Sequence, residues 1–178
     1  SRGLGDVYKR QEMEISVFEL RLKVYTLVDI NLEEVLLAEA EYIDSAFALD
    51  DEWLRFHENN EYKNYTFSGL YPLAKDGIYK KDNVYTITIR TVDSRLEQYM
   101  RKTLANHYTD KMKGLTTTLR IIPKKFINQL YTLTPVIQKY DGGYWKKAVS
   151  IDEYEKRLFA NAVKKSVSYT HLRAHETL

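Results

Sequence analysis

VYTITIRTV (Val84–Val92) is the cleanest strand in the chain, a run of β-forming residues at period two. Before it, NYTFSGLYPL (Asn64–Leu73) is also rich in β-formers and is stopped by Pro72. Asp76-Gly77 and Lys81-Asp82-Asn83 supply turn chemistry between the two, so the pair reads as a β-hairpin. After it, Asp93 or Ser94 caps a helix running to about His107, with Leu96, Met100 and Leu104 four apart. Gly114 then breaks the chain, and LTTTLRII (Leu115–Ile122) reads as the next strand.

Upstream, EISVFELRLKVYTL (Glu14–Leu27) sets Leu20, Leu22 and Val24 against Glu19, Arg21 and Lys23, a strand with one buried face. Asp29 or Asn31 can cap the helix that follows, with Glu33 and Glu34 at the positive end of its dipole. Its apolar stripe is Leu32, Val35, Leu36, Ala40, Ile43 and Phe47, broken only by Glu39, and it runs to about Leu49. Asp50 and Asp51 cap a shorter helical turn through Trp53, Leu54 and Phe56 that ends at His57. The order βαββαβ predicts an α+β, ferredoxin-like (RRM-like) domain over residues 13–126, two helices covering one face of a four-stranded antiparallel sheet.

Residues 127–166 read as the start of a second ferredoxin-like module, incomplete here. LYTLTPVIQK (Leu130–Lys139) is expected as strand, Asp141-Gly142-Gly143 as turn and Tyr144-Trp145-Lys146 as a return strand. Ser150–Lys165 is expected as a helix with a Ser150/Glu153 capping box. Residues 1–12 and 167–178 resemble translated sequencing-adapter tails and do not continue the periodicity of their neighbours. They are expected to be foreign, the natural start to be Met13 and the natural protein to continue beyond Ser166.

At 178 residues, 44% hydrophobic and 13% aromatic, the chain has ample material for a packed core. It has no cysteine, which excludes a disulfide framework and thiolate metal sites; His57 and His107 are far apart in sequence, and His171 and His175, although i and i+4, sit in the tail expected to be foreign. No run approaches the roughly 18 apolar residues of a membrane span, and no signal-peptide core opens the chain, so an intracellular, cytoplasmic place is expected by default. The net charge of +2 conceals an asymmetry: residues 13–61 carry 13 acids against three basic residues, residues 62–166 carry 20 basic residues against nine acids. The basic part suggests a polyanion partner, although solvated surface lysines would look the same.

Tyr42, His57 and Lys63 cluster around the first helix and its exit. Singly, a helical tyrosine is more often packing, a histidine beside Phe56 a cap, and a lysine before a strand a solvated charge. Their spacing, a histidine 15 positions after the tyrosine and a lysine six after that, resembles the CRISPR repeat-processing endoribonucleases, members of the RAMP superfamily. So do FHENNEYKNYTFSGLYPL (Phe56–Leu73), KGLTTTLRIIPKK (Lys113–Lys125) and TPVIQKYDGGYWKK (Thr134–Lys147), which are similar to clostridial-type members. The likeness covers about Met13–Ser166. It departs from the family in lacking the glycine-rich loop near the end of the second module.

The resemblance implies metal-independent cleavage of CRISPR repeat RNA, with no cofactor, by attack of a ribose 2′-hydroxyl on the adjacent phosphorus. The products carry 2′,3′-cyclic phosphate and 5′-hydroxyl ends. His57 is then the proton handler, Tyr42 orients the nucleophile or protonates the leaving oxygen, and Lys63 neutralises charge on the phosphorane. Whether His57 or Tyr42 is the base stays open. RNA-binding candidates are Lys111, Lys113, Arg120, Lys124 and Lys125, with Lys139, Lys146 and Lys147 in the second unit. Tyr131, Tyr140, Tyr144 and Trp145 could stack on bases, while Tyr144 and Trp145 better suit an interface between modules. His107 reads as a cation at a helix C-terminus. The alternatives are a non-catalytic RNA-binding subunit beside other subunits of a CRISPR interference complex, and a structural module without an RNA role.

Overall fold

The computed structural model describes residues 16–59, 63–123, 128–129, 131–132 and 136–176, with side chains of the last helix as far as residue 164. The chain divides into two compact units, residues 1–59 with 65–129, and residues 60–64 with 130–178.

In the first unit, β1 (Val17–Thr26) runs antiparallel to β5 (Val84–Thr91) on one side and to β6 (Met112–Ile122) on the other. β3 (Tyr65–Phe67) adds outside β5, giving the order β3-β5-β1-β6. With one helix after the first strand and another after the third, this is the ferredoxin-like arrangement. Alternation drives it: Leu20, Leu22 and Val24 of β1 and Tyr85, Ile87 and Ile89 of β5 are buried. They share one core with Ala38, Tyr42, Ile43 and Phe47 of α1 (Val35–Phe47) and Leu96, Met100 and Leu104 of α3 (Ser94–Leu104). Cross-strand partners share a face, so the opposite side of the sheet carries Glu19 between Arg90 and Arg120, Arg21 between Thr88 and Thr118, and Lys23 between Thr86 and Thr116.

Caps follow the sequence where a short acceptor precedes the helix. Asp50 accepts from the amides of Glu52 and Trp53 to start α2 (Asp51–Glu58), and Asp93 accepts from those of Arg95 and Leu96 to start α3. α1 is different. It starts at Val35 with no side-chain cap, because Asp29 accepts instead from the Lys81 amide and Asn31 pairs with Ile78 in a small sheet of β2 (Ile30–Asn31) and β4 (Ile78–Tyr79). Its buried stripe is Val35, Ala38, Glu39, Tyr42, Ile43, Ala46 and Phe47, turned away from the predicted one, so Leu32 and Leu36 are exposed. Gly114 does not break the chain before β6 but lies inside it, beside a bulge opposite Lys23 and Val24. A Cβ there would overlap the Leu104 carbonyl oxygen and the Tyr42 hydroxyl, so only glycine fits. Glu39 is wholly buried with no hydrogen-bond partner among the described residues for either carboxyl oxygen, and burial pushes its pKa up to about 9.

In the second unit, β7 (Lys139–Tyr140) and β8 (Gly143–Tyr144) pair across a turn whose Gly143 has φ +110°, followed by α4 (Trp145–Ala148) and α5 (Ile151–Glu176). Three expectations need correction, the first being that α5 does not end at Lys165 but runs on to Glu176. Of the expected strand Leu130–Lys139, residues 136–138 are irregular and only Lys139 is strand, while residues 130 and 133–135 lie outside the described residues. The return strand ends at Tyr144, because Trp145 opens α4 and stacks on Tyr154 of α5 with ring centroids 4.4 Å apart. Ser150 accepts from the Glu153 amide at 3.3 Å, one half of the expected capping box. Among the described residues no helix is long and apolar enough to cross a membrane.

Candidate functional site

Three neighbouring polar positions late in α1, Glu41, Asp44 and Ser45, are left outside the core by the helical period and hold side chains from elsewhere in the first unit. Lys111 Nζ lies 2.7 Å from Glu41 Oε2, His57 Nδ1 lies 3.4 Å from Asp44 Oδ1, and His107 Nε2 lies 2.7 Å from Ser45 Oγ. α2 delivers His57 from its last turn and the chain leaving α3 delivers His107.

His57 is part exposed, its side chain 36% accessible, and its ring packs on Phe47 at 6.0 Å. Phe47 is the hub of an aromatic cluster with Trp53, Phe56, Tyr65 and Tyr99. The Asp44 carboxylate beside one ring nitrogen and the Phe47 ring against the imidazole limit how His57 can turn. Tyr65 shares the neighbourhood: burial, then the Asp44 charge, push its pKa up to about 12, so its phenol keeps its proton.

Tyr42 is placed otherwise than expected for a group that touches substrate. It has no exposure, and its hydroxyl donates to the Leu104 carbonyl at 2.6 Å and lies 3.0 Å from that of His107. Burial raises its pKa well above the ordinary phenol range, so it is neither base nor ready acid. It fastens the exit of α3 to α1. Lys63 is half-buried in the segment 60–64, which belongs to the second unit.

His107 also departs from expectation. It follows α3, but burial lowers its pKa below the ordinary 6.5 and Ser45 meets its ring, so it is a neutral imidazole rather than a cation on the helix dipole.

No family model and no curated protein matches the chain. A solved structure described as "CRISPR associated protein Cas6" is similar. The identity is 19%, over 72% of this chain and 60% of that one, with a TM-score of 0.45. The chain thus spans 60% of the length of that structure. The fold assignment itself stands on the strand order, the register and the helix placement.

Of the predicted cationic positions, Lys113 and Arg120 are exposed on β6, Arg120 opposite Glu19. Lys111 is paired with Glu41, whose hydrogen bond raises its pKa. Lys139, Lys146 and Lys147 are exposed in the second unit, Lys146 lying 5.9 Å over the Trp145 ring; Lys124 and Lys125 lie outside the described residues. Tyr131 and Tyr144 are exposed, whereas Tyr140 carries the Arg157 guanidinium at 4.3 Å and Trp145 already stacks on Tyr154. The sequence reading missed Arg21 and Arg90, which flank Glu19 on the polar side of the sheet at 3.2 and 2.8 Å and extend the Arg120 surface. Their signal was there, since both sit at polar phases of alternating strands.

Proposed function

We propose that the chain carries a metal-independent endoribonuclease site that processes CRISPR repeat RNA. The observation that carries this reading is the Asp44–His57 pair, a part-exposed imidazole beside a carboxylate, its histidine within the Phe56–Leu73 stretch that resembles that family. His57 takes the proton of a ribose 2′-hydroxyl as its oxygen attacks the adjacent phosphorus. The 5′-oxygen leaves with a proton returned from the imidazolium or from water, so the products carry 2′,3′-cyclic phosphate and 5′-hydroxyl ends. Lys63 is assigned to the charge that builds on the phosphorane oxygens. Tyr42 supports the site without touching substrate. Lys111, Lys113, Arg120, Lys124, Lys125, Lys139, Lys146 and Lys147 are assigned to phosphate contacts, which give affinity and register rather than sequence choice. The partners implied are CRISPR repeat RNA and other subunits of a CRISPR complex in the cytoplasm.

The test is incubation of the full chain with a panel of labelled CRISPR repeat RNAs in EDTA, followed by analysis of the product ends. Cutting at one position with a cyclic phosphate end is expected; cutting that requires added metal would overturn the mechanism. A second reading, a non-catalytic RNA-binding subunit, is favoured by the row of Arg21, Arg90 and Arg120 on the sheet. It predicts salt-dependent binding without cleavage.

A further inference from the structure

The exit of α3 carries an imidazole that the proposed cleavage does not use. Ser45 Oγ lies 3.0 Å from the Tyr42 carbonyl oxygen and 2.7 Å from His107 Nε2. A hydroxyl has one hydrogen to give, and a carbonyl can only accept. Both contacts are satisfied together only when Ser45 donates to Tyr42 and accepts from His107 Nε2–H. The tautomer is thereby fixed, and Nδ1 carries the lone pair. Burial keeps the ring neutral at pH 7, so that lone pair is present. The ring makes no other hydrogen bond to the described residues.

The support beneath it is rigid. The His107 carbonyl accepts from the Gly114 amide at 2.8 Å and faces the Tyr42 hydroxyl at 3.0 Å, and the Tyr42 ring lies 5.0 Å from the imidazole. His107 lines a groove of about 520 Å³ together with Lys102, Asn106 and Tyr108, within the roughly 300–1,000 Å³ of small-ligand sites. Tyr108 is 70% exposed, and its backbone is bridged to Lys113, so it offers an aromatic face from a fixed position. A cation, an exposed ring and a fixed acceptor are the three groups that one RNA nucleotide calls for, through its phosphate, its base face and its 2′-hydroxyl.

We propose that this groove is a nucleotide subsite for RNA, with Tyr108 stacking on the base, Lys102 meeting the phosphate and His107 Nδ1 accepting a hydrogen bond from the 2′-hydroxyl. The proposal rests on the RNA reading above and adds a place where RNA is told from DNA. Ser45 and Tyr42 are positioning residues for that acceptor.

The test uses the full chain, a labelled octamer of uridylate and its deoxyuridylate counterpart, with affinities read by fluorescence anisotropy at low salt. The wild type is expected to bind the RNA octamer about fivefold more tightly than the DNA octamer, the worth of one hydrogen bond. His107→Ala abolishes that preference, and Lys102→Ala weakens both ligands alike. Should His107→Ala fail to fold, Ser45→Ala provides the second arm, since it keeps the ring and loses the tautomer lock. Long-range ¹H–¹⁵N spectra of the wild type should then show Nε2–H at His107 and a Nδ1 shift on adding the RNA octamer, both weakened in Ser45→Ala. Preference retained in His107→Ala, a Nδ1 signal that ignores RNA, or equal binding of both octamers overturns the subsite while leaving RNA binding intact. Binding of neither octamer overturns the subsite and the RNA reading together.

Discussion

The two sides of α1 treat polar groups in opposite ways. Inside, Glu39 and Tyr42 are both wholly buried, one with no partner for its carboxyl among the described residues and the other with its hydroxyl committed to backbone carbonyls. Outside, Glu41, Asp44 and Ser45 each reach a basic side chain from another element, Lys111, His57 and His107. The inner side bears on how stable and how well registered the domain is, and the outer side carries the groups proposed to meet RNA. Inner substitutions should therefore move unfolding midpoints, and outer ones should move RNA chemistry with stability nearly unchanged.

The largest expected effect is on the inner side. Gly114→Ala sets a methyl against the Leu104 carbonyl and the Tyr42 hydroxyl. It should cost about 3 kcal/mol or more, an overpacking penalty at backbone, seen as a lower urea midpoint; an unchanged midpoint would mean that α3 and β6 are less closely set than described.

Glu39 gives the next effect, with the opposite sign. Its folded pKa of about 9 lies above the 4.5 of an ordinary glutamate. The folded state therefore holds a proton that the unfolded state releases, so the contribution of Glu39 to stability is greatest below pH 4.5 and falls as pH rises toward 9. Glu39→Leu should remove that slope and stabilise the domain by about 3 kcal/mol at pH 7, checked by urea titrations between pH 5 and 8.5. Parallel wild-type and mutant curves would refute the neutral buried carboxyl.

Tyr42→Phe comes third. Losing the hydroxyl leaves the Leu104 carbonyl short of a donor, which should cost about 1–2 kcal/mol. Hydrogen exchange should quicken at the exit of α3 and leave α2 unchanged. The smallest effect on stability belongs to the outer side. Asp44→Asn should leave the midpoint within about 0.5 kcal/mol yet slow cleavage roughly tenfold by loosening the His57 ring, an effect on the rate rather than on RNA affinity.

How much of this could be read in the sequence depends on range. β1 and β5 declare themselves because both alternate over eight residues or more, and Asp50 and Asp93 announce their helices because a cap is a local event. β2 and β4 are two residues each and have no period to detect. Trp145 looked like strand because its partner Tyr154 lies on a helix that composition alone does not place against it. Tyr42 could have been recognised as core, since it falls seven positions after Val35 and four after Ala38 on the buried face of α1. His107 could not, because its meaning comes from Ser45, 62 residues away, and from the Gly114 amide that holds its carbonyl. His57 stood out through its spacing from Tyr42, yet the residue that orients it, Asp44, carried no motif.

The most direct test of the account is a single-turnover cleavage assay in EDTA with a CRISPR repeat RNA that the full chain is found to cut, comparing wild type with His57→Ala. Loss of a proton-transfer group predicts a rate lower by roughly 10²–10⁴-fold, with RNA affinity and the unfolding midpoint little changed. A His57→Ala protein that cuts at the wild-type rate would contradict the assignment of the Asp44–His57 pair as the reacting centre.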